Sequence, residues 1–404
     1  MIESYEISDL LLRLVDRSLV SYDEETGRYS LLETVRQFAA EHQVNQEDSV
    51  RLRDLHVRQY LDLAKGARRK VRGAHQIEWL ARYDAEYDNI RLAMEWASSQ
   101  PESIDKAVLL AYRLADYWMI RSSFQESHAW LDRISSVRPL IDAEKCRIEV
   151  VRSSIGYFTG LPRPDDVLSN IELARTTNDD ELLGDALGTA ILDLLVAGRL
   201  EDALAIRKET LNALAKVDDH VMTGFVHINF GNNAFLRGDP NDALYHYLEC
   251  LRVRRAAKDM RGTGAALVSI GYVKEALGQL TESESNYRRG ISAYATISSP
   301  WDIGGGISCM GLELSRKGRI ADVARILGFG DALLRKVSAH RDAVDTVQYD
   351  HWTREAKREF GEGDFAALRK EGARMSLSQV IELLFPNGLE VPSFDDSDSS
   401  LSDE

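Results

Sequence analysis

The residues best placed to do chemistry in this 404-residue chain recur at a fixed interval. Asn229, Asn232 and Asn233, then Tyr272 and Glu275, then Ser308, Ser315 and Arg316 lie around three small residues, Gly231, Gly271 and Gly311, spaced 40 apart. Amides, a phenol and one guanidinium can hold an extended peptide or its carboxylate through hydrogen bonds. That is the chemistry of binding, and these eight positions form the candidate site.

Bond-making chemistry finds no comparable set. The nine histidines are scattered, and none forms His-x-x-x-His or His-Glu-x-x-His with a third ligand. His220, His227 and His246 fall within one repeat and read as packed or groove histidines. Cys146, Cys250 and Cys309 are an odd number, far apart and without a C-x-x-C, which suggests neither a disulfide framework nor a zinc site and fits a reducing cytosol. No Gly-x-Ser-x-Gly elbow occurs, and Gly304-Gly-Gly306, with no strand before it, reads as a flexible helix start. The expectation is a non-enzyme with no catalytic residue, no metal and no cofactor.

The elements that carry the candidate positions are helical hairpins. Gly198-Arg-Leu-Glu-Asp-Ala203, Gly238-Asp-Pro-Asn-Asp-Ala243, Gly278-Gln-Leu-Thr-Glu-Ser283 and Gly318-Arg-Ile-Ala-Asp-Val323 share one register of 40 residues. Seven residues earlier stand Gly231, Gly271 and Gly311, with Ile191 in the first copy. The earlier glycine lets two helices approach closely, and the later one supplies the left-handed angle that ends the first helix. The second helix is expected to open on a capping Asp, Asn or Thr. Its apolar residues, Leu204, Ile206 and Leu211 or Leu244, Tyr247, Leu248 and Leu251, make one stripe that only a neighbouring hairpin can cover. The units therefore stack, with the first helices on the concave side.

Gly231, Gly238, Ala243 and Tyr247 resemble the small residue, turn glycine, alanine and following aromatic of the tetratricopeptide repeat. The third copy keeps Gly271, Gly278 and Tyr287 and has Ser283 for the alanine. A period of 40 in place of the usual 34 implies longer helices. A HEAT-like array, with a similar period but without the glycine pair, is the second reading. Degraded earlier units are marked by Gly156, Gly160, Asp165 and Asp166, and by Tyr112 to Trp118, Arg121, Phe124, Trp130 and Leu131. Only eight prolines, and an abundance of Ala, Leu, Arg and Glu, favour helix almost everywhere. Loops are expected at Ser98 to Glu102, Asp218 to His220 and Ser298 to Pro300.

Residues 7 to 44 differ. An apolar helix (Leu10, Leu11, Leu14, Val15) leads to Ser18-Leu-Val-Ser-Tyr22, a turn at Asp23 to Gly27, Arg28-Tyr-Ser-Leu31 and another helix, the outline of a wing. Leu14-Val-Asp-Arg-Ser-Leu-Val20 and Arg28-Tyr-Ser-Leu-Leu-Glu-Thr-Val-Arg-Gln-Phe-Ala39 resemble the winged-helix end of the STAND regulatory ATPases, which are joined to tetratricopeptide arrays. The resemblance runs on through Arg53, His56, Tyr60 and the stretch from Trp79 to Trp96, and is close over 10 to 132. It implies a switch in which repeats sense a ligand or hold the protein inactive, often in transcriptional control. The chain contains no Gly-x-x-x-x-Gly-Lys-[Ser/Thr] loop, and Leu31-Leu32-Glu33 stands where many relatives carry Met-His-Asp. No nucleotide chemistry carries over, and the chain reads as ATPase-less or as part of a longer ATPase.

The fold expected is all-α: a tetratricopeptide-like α-solenoid of helical hairpins preceded by a partial winged-helix module with a short β-hairpin. Its parts are that module at 1–44, a helical junction at 45–97, degenerate repeats at 98–180, the regular repeats at 181–385 and a disordered acidic tail at 386–404. In residues 1–44, Leu10, Leu11, Leu14, Val15, Leu19 and Val20 are expected to lack part of their core. Net charge is −15, and the tail after Pro392 supplies five of the negative charges, so nucleic acid is disfavoured. The densest basic run, Arg68, Arg69, Lys70 and Arg72, reads as a solvated helix face. The first residues lack the pattern of a signal peptide and no apolar span occurs, which places the chain in the cytoplasm and off the membrane. The function expected is a non-catalytic scaffold whose repeats bind a protein, a peptide or a small effector, with a separate ATPase module among the candidate partners. The alternative is a DNA-contacting transcriptional regulator using Arg13, Arg17 and Arg28 of the wing.

Overall fold

A computed structural model describes residues 4–24, 27–41, 46–160 and 164–394. In chain order come α1 (Ser4–Asp16), a hairpin of β1 (Val20–Asp23) and β2 (Arg28–Leu31), α2 (Glu33–Glu41) and α3 (Gln46–Val71), with α1 packed on β1. Then follow α4 (Gln76–Ser99), a 3-10 turn at Pro101–Ser103, α5 (Ile104–Arg121), α6 (Phe124–Val137), α7 (Asp142–Thr159) and α8 (Pro164–Thr176). The regular part comprises α9 (Asp180–Val196), α10 (Leu200–Lys216), α11 (His220–Leu236), α12 (Pro240–Ala256), α13 (Met260–Ala276) and α14 (Leu280–Thr296). It continues through α15 (Pro300–Gly306), a 3-10 turn at Ile307–Met310, α16 (Gly311–Arg316) and α17 (Ile320–Lys336), and the chain closes with α18 (Ala343–Gly372) and α19 (Leu377–Leu384). Among the described residues the hairpin is the only sheet, so the all-α class holds. The chain forms two compact units, residues 1–58 and 59–404.

In the larger unit each regular helix stops in the same way. Gly198, Gly238, Gly278 and Gly318 take φ of 74°, 80°, 78° and 69°. After α9, Gly198 donates to Leu195 O at 3.0 Å and Arg199 donates to Leu194 O at 2.8 Å, the paired bonds that satisfy the last carbonyls of a helix. The same turn recurs halfway between the glycines, on Asp218, Lys258, Ser298 and Ser338, with φ of 54°, 56°, 52° and 52°. Each 17-residue helix plus its three-residue turn is thus half of the 40-residue period. Capping departs from the expectation. Asp179, Asp219 and Asp259 cap α9, α11 and α13, the first helices of their pairs, by accepting from the amides of Leu182, Met222 and Gly262. Among the second helices only α12 has such a cap, from Asp239; Arg199, Gln279 and Arg319 make none. The residue after the turn glycine is already the cap position, which leaves no room for the Asp, Asn or Thr further on.

The earlier glycines pack against aromatic rings. A Cβ on Gly231 would lie 2.5 Å from the Tyr247 ring, and Gly271 meets Tyr287 as closely. Gly311 meets the ring of Trp352 from α18 instead. In the first copy Ile191 fills the space, and the position that would carry the tyrosine is Arg207. Glycine and ring come and go together, so the small residue exists to seat the aromatic one. The Gly304 to Gly306 run is not a loose helix start: it is buried helix, and Gly304 and Gly330 bring the backbones of α15 and α17 together.

The first helices α5, α7, α9, α11 and α13 lie side by side in that order, the Arg261–Asp302 ion pair ties α13 to α15, and α15 returns to touch α5. The seam is well bonded. Arg121 donates to Ile297 O at 2.6 Å, the Trp301 amide to Ser122 Oγ at 3.0 Å and the His340 amide to Phe158 O at 2.9 Å. Phe158 and Trp301 meet edge to face at 4.6 Å between ring centres. The array is therefore a closed row, where the sequence suggested an open concave face. Residues 386–394 are also held: the Glu390 amide donates to Ser292 Oγ at 2.9 Å and its carboxylate accepts from Arg288. The remainder of the expected tail, 395–404, lies outside the described residues.

In the smaller unit the strands pair antiparallel with Val20 opposite Leu31 and Tyr22 opposite Tyr29. Val20 is buried, Leu11, Leu14 and Val15 are half-buried, and Leu10 and Leu19 are exposed. Two substitutions test the repeat geometry. Gly271→Ala should destabilise by roughly 1–3 kcal/mol because the fully buried Tyr287 ring must move. Lys258→Gly should stabilise by about 1 kcal/mol by relieving a left-handed angle. Thermal melts of the two variants beside the parent protein check both signs.

Candidate functional site

The closed row of first helices surrounds a cavity of about 160 Å3. Its walls come from α5, α7, α9, α11, α13 and α15, with Cys250 and Arg254 of α12, Tyr294 of α14, Arg68 and Arg72 from the end of α3 and Asp342, Val344 and Asp345 from the start of α18. Because a helix presents neighbours three and four residues apart on one face, several wall helices contribute a short stripe, whereas α9 contributes Asp185 alone. Tyr112, Ala115, Asp116 and Met119 of α5 are one such stripe, and Phe225, Ile228, Asn229 and Asn232 of α11 another.

Four arginines reach this space, and each meets a carboxylate. Arg68 pairs with Asp185 and with Glu181 at 2.6 Å and donates to the Tyr112 hydroxyl at 3.0 Å. Arg72 pairs with Asp116 at 2.7 Å and with Asp219 at 3.0 Å. Arg254 pairs with Asp259, and Arg261 donates to both oxygens of Asp302 at 2.7 and 3.0 Å. Burial works against charge on Arg68, but Asp185, Tyr112, Asp116 and Glu181 outweigh it and hold the guanidinium protonated. Burial likewise pushes the Asp219 carboxyl up, yet Arg72 and the Met222 amide keep it below its ordinary range. The basic run at 68–72 is thus divided. Arg69 and Lys70 are exposed as expected, whereas Arg68 and Arg72, four residues apart, turn inward to acids more than 40 positions away.

Asp342 and Asp345 differ from the other acids of the wall. Asp342 accepts from the Tyr157 hydroxyl and caps α18 through the Val344 amide; Asp345 accepts from the Tyr272 hydroxyl at 2.5 Å. Neither has an ion-pair partner among the described residues. The adjacent Arg341 spends its guanidinium on the carbonyls of Gly304 and Gly305 and on Asp331. Burial raises both carboxyls well above the usual range, and the charge of Asp345 adds to the effect on Asp342.

Of the eight positions read from the sequence, Asn229, Asn232 and Tyr272 line the cavity. Asn229 donates to Phe225 O at 2.7 Å, and Asn232 accepts from the Tyr247 hydroxyl at 2.9 Å. The others lie elsewhere. Glu275 is tied to Tyr287 at 2.6 Å and Gln348 at 3.1 Å, Arg316 to Glu284 at 2.9 Å. Asn233 and Ser315 are half-buried, and Ser308 is fully buried away from the cavity wall. The arginines and aspartates of the wall were missed because their partners are distant in sequence. One signal was available: Asp219 and Asp259 repeat at the 40-residue interval, and so do Asp302 and Asp342.

His227 and His246 face each other through Nδ1 at 3.1 Å over Phe230. Burial lowers both, His246 to about 4, with Arg207 adding to the effect. Among the described residues no group of three or more potential metal ligands occurs, and no helix is long and apolar enough to cross a membrane. No protein-family model matches the sequence, and no curated protein matches it significantly.

The two raised carboxyls set a pH dependence. Unfolded aspartates titrate near pH 4, roughly, whereas the folded pair retains protons at higher pH, so between these limits the native state binds more protons than the unfolded one. The pair's own contribution to stability should accordingly rise as pH falls from about 8 to about 5, while the lowered His227 and His246 act in the opposite sense, so the sign is read from a variant of the pair. Asp342→Asn keeps an acceptor for the Val344 amide and removes the charge. It should raise the melting temperature at pH 8 and change it little at pH 5, as read by melts across that range.

Proposed function

We propose that this chain is a non-catalytic regulatory scaffold whose closed array of tetratricopeptide-like hairpins holds a small effector. The resemblance over residues 10 to 132 points to an ATPase-less or truncated member of the STAND group, with residues 1–44 as a partial winged-helix module and a cytoplasmic role in signalling or transcriptional control. The observation that carries the reading is the cavity in the row of first helices. Its size, about 160 Å3, suits a compound of a few more atoms than benzene, which fills an engineered cavity of about 150 Å3. A folded partner does not fit such a space, and the bonded seam between α5 and α15 leaves no long open groove for an extended peptide.

Protein contact belongs to the smaller unit in this reading. Ile7, Leu10 and Leu12 of α1, with Leu31, Leu32 and Phe38, are exposed large apolar side chains. Apolar surface of this kind is favoured where a further module docks, and a separate ATPase module is the candidate. The absence of a phosphate-binding loop from the sequence supports a receiving role over a catalytic one.

Ala265 is half-buried on the cavity wall and takes no part in its ion pairs, so Ala265→Phe fills the space without disturbing them. The parent chain, incubated with the small-molecule fraction of a cell extract and desalted, should retain a compound detectable by mass spectrometry that Ala265→Phe does not. Equal retention by the two, or ATP hydrolysis by the purified chain, contradicts the proposal.

A further inference from the structure

We infer that the cavity selects a small organic amine, bound as its cation between the carboxylates of Asp342 and Asp345 and an aromatic wall. This rests on the reading of the cavity as an effector site and adds the class of effector.

Charge pairing within the wall comes first. Arg68, Arg72, Arg254 and Arg261 are each engaged by a carboxylate, so none stands ready for an anion. Asp116, Asp185 and Asp302 are the acids they engage on the wall. Asp342 and Asp345 accept hydrogen bonds from neutral donors only, the hydroxyls of Tyr157 and Tyr272 and the Val344 amide, and the Arg341 guanidinium, bonded to Gly304, Gly305 and Asp331, acts on Asp345 only through space. A buried carboxylate is stable when a cation or several donors meet it, and these two have neither in full.

A second, separate observation has the same sign. Oδ1 of Asp185, whose side chain is 1% exposed on the cavity wall, has no hydrogen-bond partner and is approached only by Arg72, at 3.9 Å. The unpartnered donors nearby do not offset it. Nε of Arg254 is pressed between Gly224 and Gly262, and Nε of Arg68 lies 3.8 Å from Asp116. What the wall lacks is a donor carrying positive charge.

The rest of the cavity fits the body of such a ligand. Phe158, Trp301, Tyr294 and Phe225 line it with aromatic rings, and Val268 and Met222 with aliphatic surface. Aromatic rings attract a cation through their faces and pack against an apolar body equally well. The volume admits one ring with a short aminoalkyl arm. A protonated amine donates up to three hydrogen bonds, enough for both carboxylates at once.

The test uses the full chain at pH 8 and three probes of closely similar size, phenethylamine, 2-phenylethanol and phenylacetate, titrated by calorimetry. The amine should bind at least about tenfold more tightly than the alcohol, as a charge-assisted hydrogen bond requires, and the carboxylate should not bind. Asp342→Asn and Asp345→Asn should each erase the preference for amine over alcohol. The comparison of probes on the unaltered protein stands even if a variant misfolds. Failure of the amine to bind, or binding of the alcohol or the carboxylate with equal affinity, overturns the inference. The wider reading fails on a different result: retention of cell-extract compounds unchanged by Ala265→Phe. A retained anion or neutral compound lost in that variant would sink the amine and leave the effector site.

Discussion

The structure of the larger unit depends on one backbone constraint, the left-handed residue that ends each regular helix. A left-handed angle lets the last carbonyls be satisfied and turns the chain back at once, so helix length and turn length are fixed together. Helices of equal length joined by equal turns can stack only with a constant step. That constant step carries the row of first helices round until α15 meets α5, with Arg121, Ser122 and Phe158 bonding Ile297, Trp301 and His340. The cavity is the space this row encloses. Its position follows from the turns, not from any residue that lines it.

Closure brings charged side chains out of water, and the molecule answers with pairing. Arg68 and Arg72 are held among Asp116, Asp185 and Asp219, from three different helices or turns. Removing one partner from such a group leaves a buried charge uncompensated, which costs far more than an exposed ion pair contributes. The group therefore acts as a check on register: α3, α5, α9 and α11 must all be in place for it to close. Asp342 and Asp345 are the exception at the far side of the seam, where tyrosine hydroxyls take the place of cations.

Much of the fold was legible in the sequence because it is written at short range. The period, the turn glycines and the small residue of each first helix all act within one hairpin, and Gly231 with Tyr247 and Gly271 with Tyr287 are each 16 residues apart. The hairpin of 20 to 31 was readable for the same reason. What was not legible is what the turns produce together. Half of the turns fall on Asp218, Lys258, Ser298 and Ser338; the loops at 218–220 and 298–300 are legible as polar breaks, but nothing in them announces the same left-handed turn that the glycines make. Closure links residues such as 121 and 297, which no periodicity connects. Hence Asn229, Asn232 and Tyr272 were placed on the inner face from sequence, while Arg68, which reads as a surface charge, lines the same cavity.

Closure of the row is the central claim, and cross-linking across the seam tests it most directly. Gln125 donates to Ser338 Oγ at 2.6 Å across that seam, and the three native cysteines are fully buried. In a Gln125→Cys, Ser338→Cys chain treated with a short bismaleimide, the account expects rapid cross-linking within single molecules, at a yield that dilution does not change. Cross-links only between molecules, or none while both thiols remain reactive, would mean that α5 and α15 do not meet and that the chamber does not exist.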